Sequence, residues 1–252
     1  MTRIVLVGAA GRMGRAIEAA AAAAEKVEVV ARVDRRENVP AGEAGWTEDA
    51  ESVIAPGVVV IEFSSPAGAV ATARQCAARG VPLVSGSTGL SGAQEAEVRS
   101  AAEKVALLRA SNFSIGVAAL RRALRAALAA VPSTWDVEII ERHHRLKKDS
   151  PSGTAMTLAD DVLASRGLDR SALVHGREGA VGGRRPTEVG MHSVRGGTWV
   201  GDHTIVLGGE GETLELRHVA QDRAAFAHGA VAAARFVAAA GPGCYGIDDL
   251  LT

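Results

Sequence analysis

The sequence predicts an α/β fold in two parts: an N-terminal doubly wound domain on a parallel sheet, and a second α+β domain on a mixed or antiparallel sheet. Three observations carry this. Up to residue 113, short and continuously apolar β-branched runs alternate with alanine-rich helical stretches, the pattern of a parallel sheet covered on both faces. Beyond residue 113 the apolar runs become one-sided and glycine-rich turns join them, which fits a sheet with one wet face. The chain has 252 residues, enough interior for one large domain or two modest ones.

The strands of the first part are Arg3–Val7, Val27–Asp34, Val58–Phe63, Pro82–Ser85 and Val105–Ala110. Helical periodicity fills the gaps over Gly14–Glu25, Ala67–Arg79 and Gly92–Lys104. Ile115–Val131 then reads as one long helix, with Leu120, Leu124 and Leu128 in one row and Arg121, Arg122 and Arg125 off it. Trp135–His144 starts as a strand, with Trp135, Val137 and Ile139 opposite Asp136 and Glu138. A helix opens at Pro-Ser-Gly-Thr and runs through Met156 and Leu158 to Leu163, and the glycine-rich stretch Gly176–Arg185 is expected to be a mobile loop. Strands follow at Glu188–Arg195, His203–Leu207 and Glu212–His218, the last with Leu214 and Leu216 against Glu215 and Arg217. Ala224–Ala239 is a final alanine-rich helix, whose return to the first domain the residues leave open.

Composition narrows the function. With 28 Lys+Arg against 29 Asp+Glu the net charge is -1, so nothing electrostatic points to nucleic acid. Two cysteines, Cys76 and Cys244, make neither a disulfide framework nor a Cys-rich zinc site and read as small hydrophobes. No apolar run approaches the ~20 residues of a membrane span. A strand-like run from Arg3 leaves no room for a secretory signal, so a cytoplasmic protein is expected.

The first strand runs into Gly8-Ala9-Ala10-Gly11-Arg12-Met13-Gly14 and then a helix. A pyrophosphate has to touch backbone N–H groups at a helix N-terminus, so side chains there must be small. The second strand ends in Asp34, placed to accept from an adenosine ribose. Together these give a Rossmann-like dinucleotide-binding domain. Asp34 alone favours NAD, whereas Arg35 and Arg36 either attract a 2′-phosphate or are solvated surface charges. Gly86-Ser87-Thr88-Gly89 and Ala110-Ser111-Asn112-Phe113 follow two further strands on the ligand side, and Phe63 either packs on the cofactor or fills the core.

The densest chemistry in the second domain is Glu141-Arg142-His143-His144-Arg145-Leu146-Lys147-Lys148-Asp149-Ser150-Pro151-Ser152-Gly153-Thr154. Its cations are expected to make a local positive pocket, with Ser152 as N-cap and the amides of Gly153 and Thr154 facing an anion. A substrate bearing carboxylates fits this best. Adjacent histidines point to opposite faces of a strand, so one at most is catalytic, and no third ligand has metal-site spacing. If strand geometry persists past Arg145, Lys147 lies on the side of His143 and Lys148 faces solvent.

The run His143-His144-x-x-Lys147-x-Asp149-x-Pro151-Ser152-Gly153-Thr154 resembles the signature of the 4-hydroxy-tetrahydrodipicolinate reductases, formerly dihydrodipicolinate reductases. The Gly8–Gly14 loop is similar to the family's nucleotide loop, the Gly86–Gly89 and Ala110–Phe113 loops resemble its two other cofactor loops in the same order, and Val194-Arg195-Gly196-Gly197 and Gly201-Asp202-His203-Thr204 are similar to its later pattern. Ser87 and Ser111 stand where many members have threonine and alanine. The resemblance implies a bacterial lysine and diaminopimelate pathway enzyme, cytoplasmic and homotetrameric, with NADPH or NADH as donor and a cyclic dicarboxylate imine as acceptor. It implies a dinucleotide domain of residues 1–113 completed by 221–252, and a substrate and tetramerisation domain of 114–220. His143 and Lys147 would be the proton-transfer residues, and His144, Ser152, Gly153 and Thr154 the substrate contacts. Gly8 to Met13, Asp34, Arg35, Gly86, Ser87, Thr88, Ala110, Ser111, Asn112 and Phe113 would hold the cofactor, and domain closure would bring the reactants together. Two other readings share the glycine loop: a different two-domain dehydrogenase acting on an amino-acid semialdehyde, and a non-catalytic dinucleotide sensor. Neither needs the His-His-x-x-Lys run.

Overall fold

The computed structural model describes residues 1–251. They form two compact units, Met1–Ile115 together with the chain from Arg223 onward, and Gly116–Asp222. In chain order the elements are β1 (Thr2–Val7), α1 (Arg12–Ala23), β2 (Val27–Val33), β3 (Trp46–Thr47), β4 (Val59–Glu62), α2 (Pro66–Arg79), β5 (Leu83–Ser85), α3 (Gly92–Ser100), β6 (Ala106–Arg109), α4 (Ile115–Ala130), β7 (Asp136–His143), α5 (Gly153–Arg166), β8 (Leu173–Val174), β9 (Val189–Arg195), β10 (Gly201–Gly208), β11 (Thr213–Ala220), α6 (Ala224–Val237) and β12 (Gly243–Tyr245).

The first unit is built on a seven-stranded sheet in the order β12-β6-β5-β4-β1-β2-β3, parallel at every pairing. The chain leaves β1 toward β2 and β3, then crosses back to β4, β5 and β6. The order therefore reverses between β1 and β4, where a doubly wound sheet opens a crevice at its carboxyl edge. Its core is Val, Ile, Leu and Ala, with Val5, Val60, Leu83 and Leu107 on one face of the sheet. Local chemistry sets the helix ends. Ser65 accepts from the Gly68 N–H ahead of Pro66, and α2 stops at Gly80 in the left-handed region. Ser91 and Gln94 form a capping box at the start of α3. That helix ends at Ser100 and tightens into one 3₁₀ turn, short of the expected Lys104.

The second unit holds a five-stranded sheet in the order β11-β10-β7-β9-β8. β10 runs antiparallel to both neighbours, while β7, β9 and β8 are mutually parallel, so the sheet is mixed. One face packs on α4 and α5 through Leu120, Leu124, Leu128, Leu158 and Val162 against Val137, Ile139, Met191 and Ile205. The row of three leucines spaced four residues apart, read from the sequence, is thus the buried face of α4. Three strands escaped the sequence reading: β3, β8 and β12 have only two or three residues, too few to show a period. The stretch Gly176–Arg185 is irregular, as expected, and it is tethered at two arginines. Arg184 donates to Asp136 at 2.8 Å, to Glu138 at 3.0 Å and to the carbonyls of Val137 and Glu188 at 2.9 and 2.6 Å. Arg177 reaches Glu138 and Glu188. The glycines gave the irregularity, and the two arginines tie it to β7.

Candidate active site

In the first unit the loop between β1 and α1 is glycine by necessity at two places. Gly8 has φ +84°, and a Cβ there would lie 2.3 Å from the Phe63 carbonyl oxygen. At Gly14 a Cβ would lie 2.3 Å from Gly8 O and 2.4 Å from Ala9 O, so the helix can approach the loop only without a side chain. Gly8 and Ala9 donate their N–H groups to Val33 O, docking the loop on the end of β2. Gly11 is the N-cap of α1 and offers no capping side chain. The first-turn amides from Arg12 onward therefore stand at the positive end of the helix dipole, a cradle that fits a pyrophosphate. Gly14→Ala is expected to abolish measurable dinucleotide binding while the second unit stays folded; fluorescence titration with NADH and NADPH checks this, and unchanged affinity would remove the loop from the site.

Asp34 needs one correction to the simple picture. Its carboxylate accepts from the Ala10 N–H at 2.9 Å, from Arg35 N–H and from Asn38 Nδ2 at 2.8 Å. The amide of Ala10, one of the residues expected to hold the cofactor, is thus held by the acid at the neighbouring strand end. Burial opposes the charge on Asp34, but the hydrogen bonds from Asn38, Ala10 and Arg35 outweigh it and hold the group below the usual carboxylate range. Arg35 is exposed and pairs with Glu37 at 3.2 Å.

Two cavities flank this loop along the carboxyl edge. One of about 520 Å³ is lined by Gly8, Gly11, Asp34, Arg35, Asn38 and Phe63 among others. The other, about 530 Å³, is lined by Met13, Gly86, Ser87, Thr88, Ser111 and Asn112, and also by Arg223 and Phe226. Gly11, Phe63 and Ser64 line both, so the two form successive parts of one edge. The sequence-predicted Ala9 and Ala110 line neither cavity. Phe113 is only 1 % exposed, and its ring packs on Phe63 with centroids 5.1 Å apart. It is one of the residues lining the second cavity, as part of its buried wall. Gly86 is required here too, since a Cβ would meet the Phe63 ring at 2.2 Å. Arg223 and Phe226 come from the start of α6, far along the chain and outside any motif, so local sequence gave no sign of them.

In the second unit the alternation of β7 extends past Ile139, putting Glu141 and His143 on the same inward face as Val137. Glu141 is fully buried. It receives both terminal nitrogens of Arg195 at 2.7 Å, the Ser152 N–H at 3.1 Å and His143 Nδ1 at 2.6 Å. Burial opposes its charge, but these bonds to His143 and Arg195 hold it far below the usual range. Arg195 also donates to the Asp149 carbonyl at 2.8 Å. One carboxylate thus ties together the end of β7, the start of α5, the following loop and β9. Sequence reasoning missed Glu141 and Arg195 as site residues, although the two-residue period from His143 back to Glu141 was available.

His144 is half-buried just beyond β7, its N–H bonded to Trp199 O at 2.8 Å. The chain then turns, with Lys147 N–H donating to His144 O at 3.1 Å. Strand geometry does not persist past Arg145, so the parity argument for Lys147 fails. The turn still leaves Lys147 partly sheltered and Lys148 exposed. Lys147 Nζ bonds both Asp149 oxygens at 2.9 and 2.8 Å. The expected positive pocket is also weaker than the count of cations suggested: Arg142 points to the other sheet face and pairs with Asp202 at 3.1 Å. Ser152 caps α5 through Ala155 N–H at 3.1 Å and lies 3.1 Å from His203 Nε2. It is 2 % exposed, so it is engaged as a buried cap. Gly153 and Thr154 begin α5 at the positive end of its dipole.

His203 lies edge-on to His143, ring centroids 5.2 Å apart. Burial and then the charge of His143 push its imidazole down to about 4 from the ordinary 6.5. The unfolded chain takes up this proton between those values and the folded one does not. The stabilisation is therefore complete above pH 6.5 and lost as pH falls toward 4, by about 3 kcal/mol at most. His203→Gln is expected to flatten that part of the stability-against-pH curve from denaturant unfolding; an unchanged slope would place the acid sensitivity elsewhere. Among the described residues, no cluster of three or more His, Cys, Asp or Glu side chains is arranged to hold a metal.

Comparison with known proteins adds an independent result. The family model for the N-terminus of dihydrodipicolinate reductase matches residues 2–113, and that for its C-terminus matches residues 116–251. The 4-hydroxy-tetrahydrodipicolinate reductase of Thermomicrobium roseum is 43% identical over 259 residues, covering 100% of both chains. That of Caulobacter vibrioides is 41% identical over 253 residues, covering 99% of this chain and 96% of its own. Among solved structures, a dipicolinate-bound dihydrodipicolinate reductase from Paenisporosarcina sp. TG-14 superposes with a TM-score of 0.82 at 27% identity, covering 99% of each chain.

Proposed function

The chain belongs to the dihydrodipicolinate reductase family, and from that premise we propose how its residues carry the family's reaction. It is an NAD(P)H-dependent oxidoreductase that reduces 4-hydroxy-tetrahydrodipicolinate to tetrahydrodipicolinate with loss of water, a step of lysine and diaminopimelate biosynthesis.

The dinucleotide belongs to the first unit. Asp34 takes the adenosine ribose in the first cavity, the first turn of α1 takes the pyrophosphate, and the second cavity takes the nicotinamide half. Bound NAD(P)H supplies the hydride. The placement of Asp34 and Arg35 in one cavity supports use of both cofactors: the carboxylate suits a free ribose, and the exposed guanidinium can turn from Glu37 to a 2′-phosphate.

The dicarboxylate belongs to the second unit. His144, Lys147 and the amides of Gly153 and Thr154 hold its carboxylates. Lys147 delivers the proton from its sheltered position and takes another from solvent, while exposed Asp149 orients its ammonium. His143, its Nδ1 fixed by Glu141, presents Nε2 as the second proton-transfer group. Ser152 acts by capping α5. The single observation that carries this reading is the Glu141 network, because it holds His143 and the anion-facing end of α5 in one rigid arrangement.

The outer face of the second sheet supports a homotetramer. Val194 and Val219 are 38% and 48% exposed there, set apart by the ion pair of Arg142 with Asp202 in the rows between them, a mixed apolar and charged face that a second copy could cover. No described helix is long and apolar enough to cross a membrane. A cytoplasmic location, without membrane or nucleic-acid partners, is the reading that the small-molecule reaction of the family favours.

Pyridine-2,6-dicarboxylate is expected to inhibit competitively against substrate, and Thr154→Pro to weaken it by removing an amide at the start of α5. Inhibition kinetics and calorimetric titration test this. Undiminished binding to the variant would place the anion site away from α5.

A further inference from the structure

Glu62 is a buried acid that the reaction as described leaves without a task. It ends β4 at the point where the strand order reverses, opposite Val7 of β1 and Ser85 of β5, and is 0% exposed. Its Oε1 accepts from the Ser64 N–H and Oγ, each at 2.7 Å, and from Ser87 Oγ at 2.6 Å. Its Oε2 accepts from Ser85 Oγ at 3.0 Å. Every partner is a neutral donor. Glu141, equally buried, is matched by the guanidinium of Arg195; among the described residues no cation pairs with Glu62. A lone buried carboxylate is costly and a leucine would fill the space, so its retention asks for a reason.

The surroundings supply one. Ser64 and Ser87 both line the second cavity, so the carboxylate lies one hydrogen bond behind the cavity wall. We infer that Glu62 is a positioning residue for the hydride donor, holding Ser64 and Ser87 in the wall and presenting a fixed negative field that favours the oxidised, cationic nicotinamide over the reduced, neutral one. This rests on the assignment of the nicotinamide half to that cavity. When hydride leaves, the ring goes from neutral to positive. A preorganised anion in a water-poor setting stabilises that change without rearranging. The phosphates and adenosine keep their charge throughout, so only the difference between redox forms reports on Glu62.

The test is equilibrium binding of NADP⁺, NADPH, NAD⁺ and NADH to wild type and to Glu62→Gln, in which the amide keeps the shape and loses the charge. The variant is expected to bind both oxidised forms about fivefold or more weakly while the reduced forms stay within about twofold. Glu62→Asp, with the charge restored, should return toward the wild-type ratio of oxidised to reduced affinity. Equal losses for both forms would reduce Glu62 to packing and overturn the inference, as would no change in either. Should Glu62→Gln not fold, Glu62→Ser, which leaves room for a water, is read by the same ratio. Wild type that binds none of the four would instead overturn the dinucleotide assignment, and the inference with it.

Discussion

Lys147→Ala is expected to lower kcat by about 10²–10⁴, the range for loss of a positioned proton donor. KM for the dicarboxylate should rise as well, because the same ammonium holds a carboxylate. Lys148→Ala is the matched control: one residue on, exposed, and expected to change either constant little. What separates the two lysines is the turn after His144, which shelters Lys147 and seats its Nζ between both oxygens of Asp149. Cofactor affinity should survive both substitutions, since the glycine loop lies in the other unit. Steady-state kinetics with a fluorescence titration of NADPH checks the pair. Normal turnover in Lys147→Ala with severe loss in Lys148→Ala would reverse the assignment.

Glu141→Ala should produce the largest loss of stability. Its removal leaves Arg195 without its buried partner and strips acceptors from the Ser152 amide and from His143 Nδ1. Breaking one side of a buried ion pair costs about 3–5 kcal/mol. Glu141→Gln keeps the shape and should lose less stability but still reduce kcat, because the imidazole is no longer oriented and charge-matched by a carboxylate. Urea unfolding and the pH profile of kcat distinguish these effects. A Gln variant with wild-type kcat and pH profile would limit Glu141 to a structural role.

Much of this molecule was legible in the sequence because its signals are local. The glycine loop, the acid at the end of β2 and the continuous apolar strands each declare a parallel sheet and its ligand edge within a few residues. The His143–Thr154 run likewise sits within one short segment, from the end of β7 to the start of α5. What escaped depends on distant segments meeting. Arg195 reaches Glu141 across the parallel pairing of β7 and β9, and Arg223 and Phe226 reach the second cavity from α6. No period or motif encodes such encounters. The positive pocket was overcounted for a related reason: a run of basic residues says nothing of which face each takes, and β7 sends Arg142 to Asp202 on the far side. The parity argument for Lys147 erred at a boundary, where β7 ends at His143 and a turn takes over.

The most direct measurement is oxidation of NADPH and NADH by the purified protein in the presence of enzymatically generated 4-hydroxy-tetrahydrodipicolinate, followed by the loss of nicotinamide absorbance. The expected result is oxidation that requires this substrate, proceeds with at least one of the two cofactors and is suppressed by pyridine-2,6-dicarboxylate. Protein that binds the cofactor yet leaves it unoxidised with the cyclic substrate, or that oxidises it only with an amino-acid semialdehyde, would contradict the assignment.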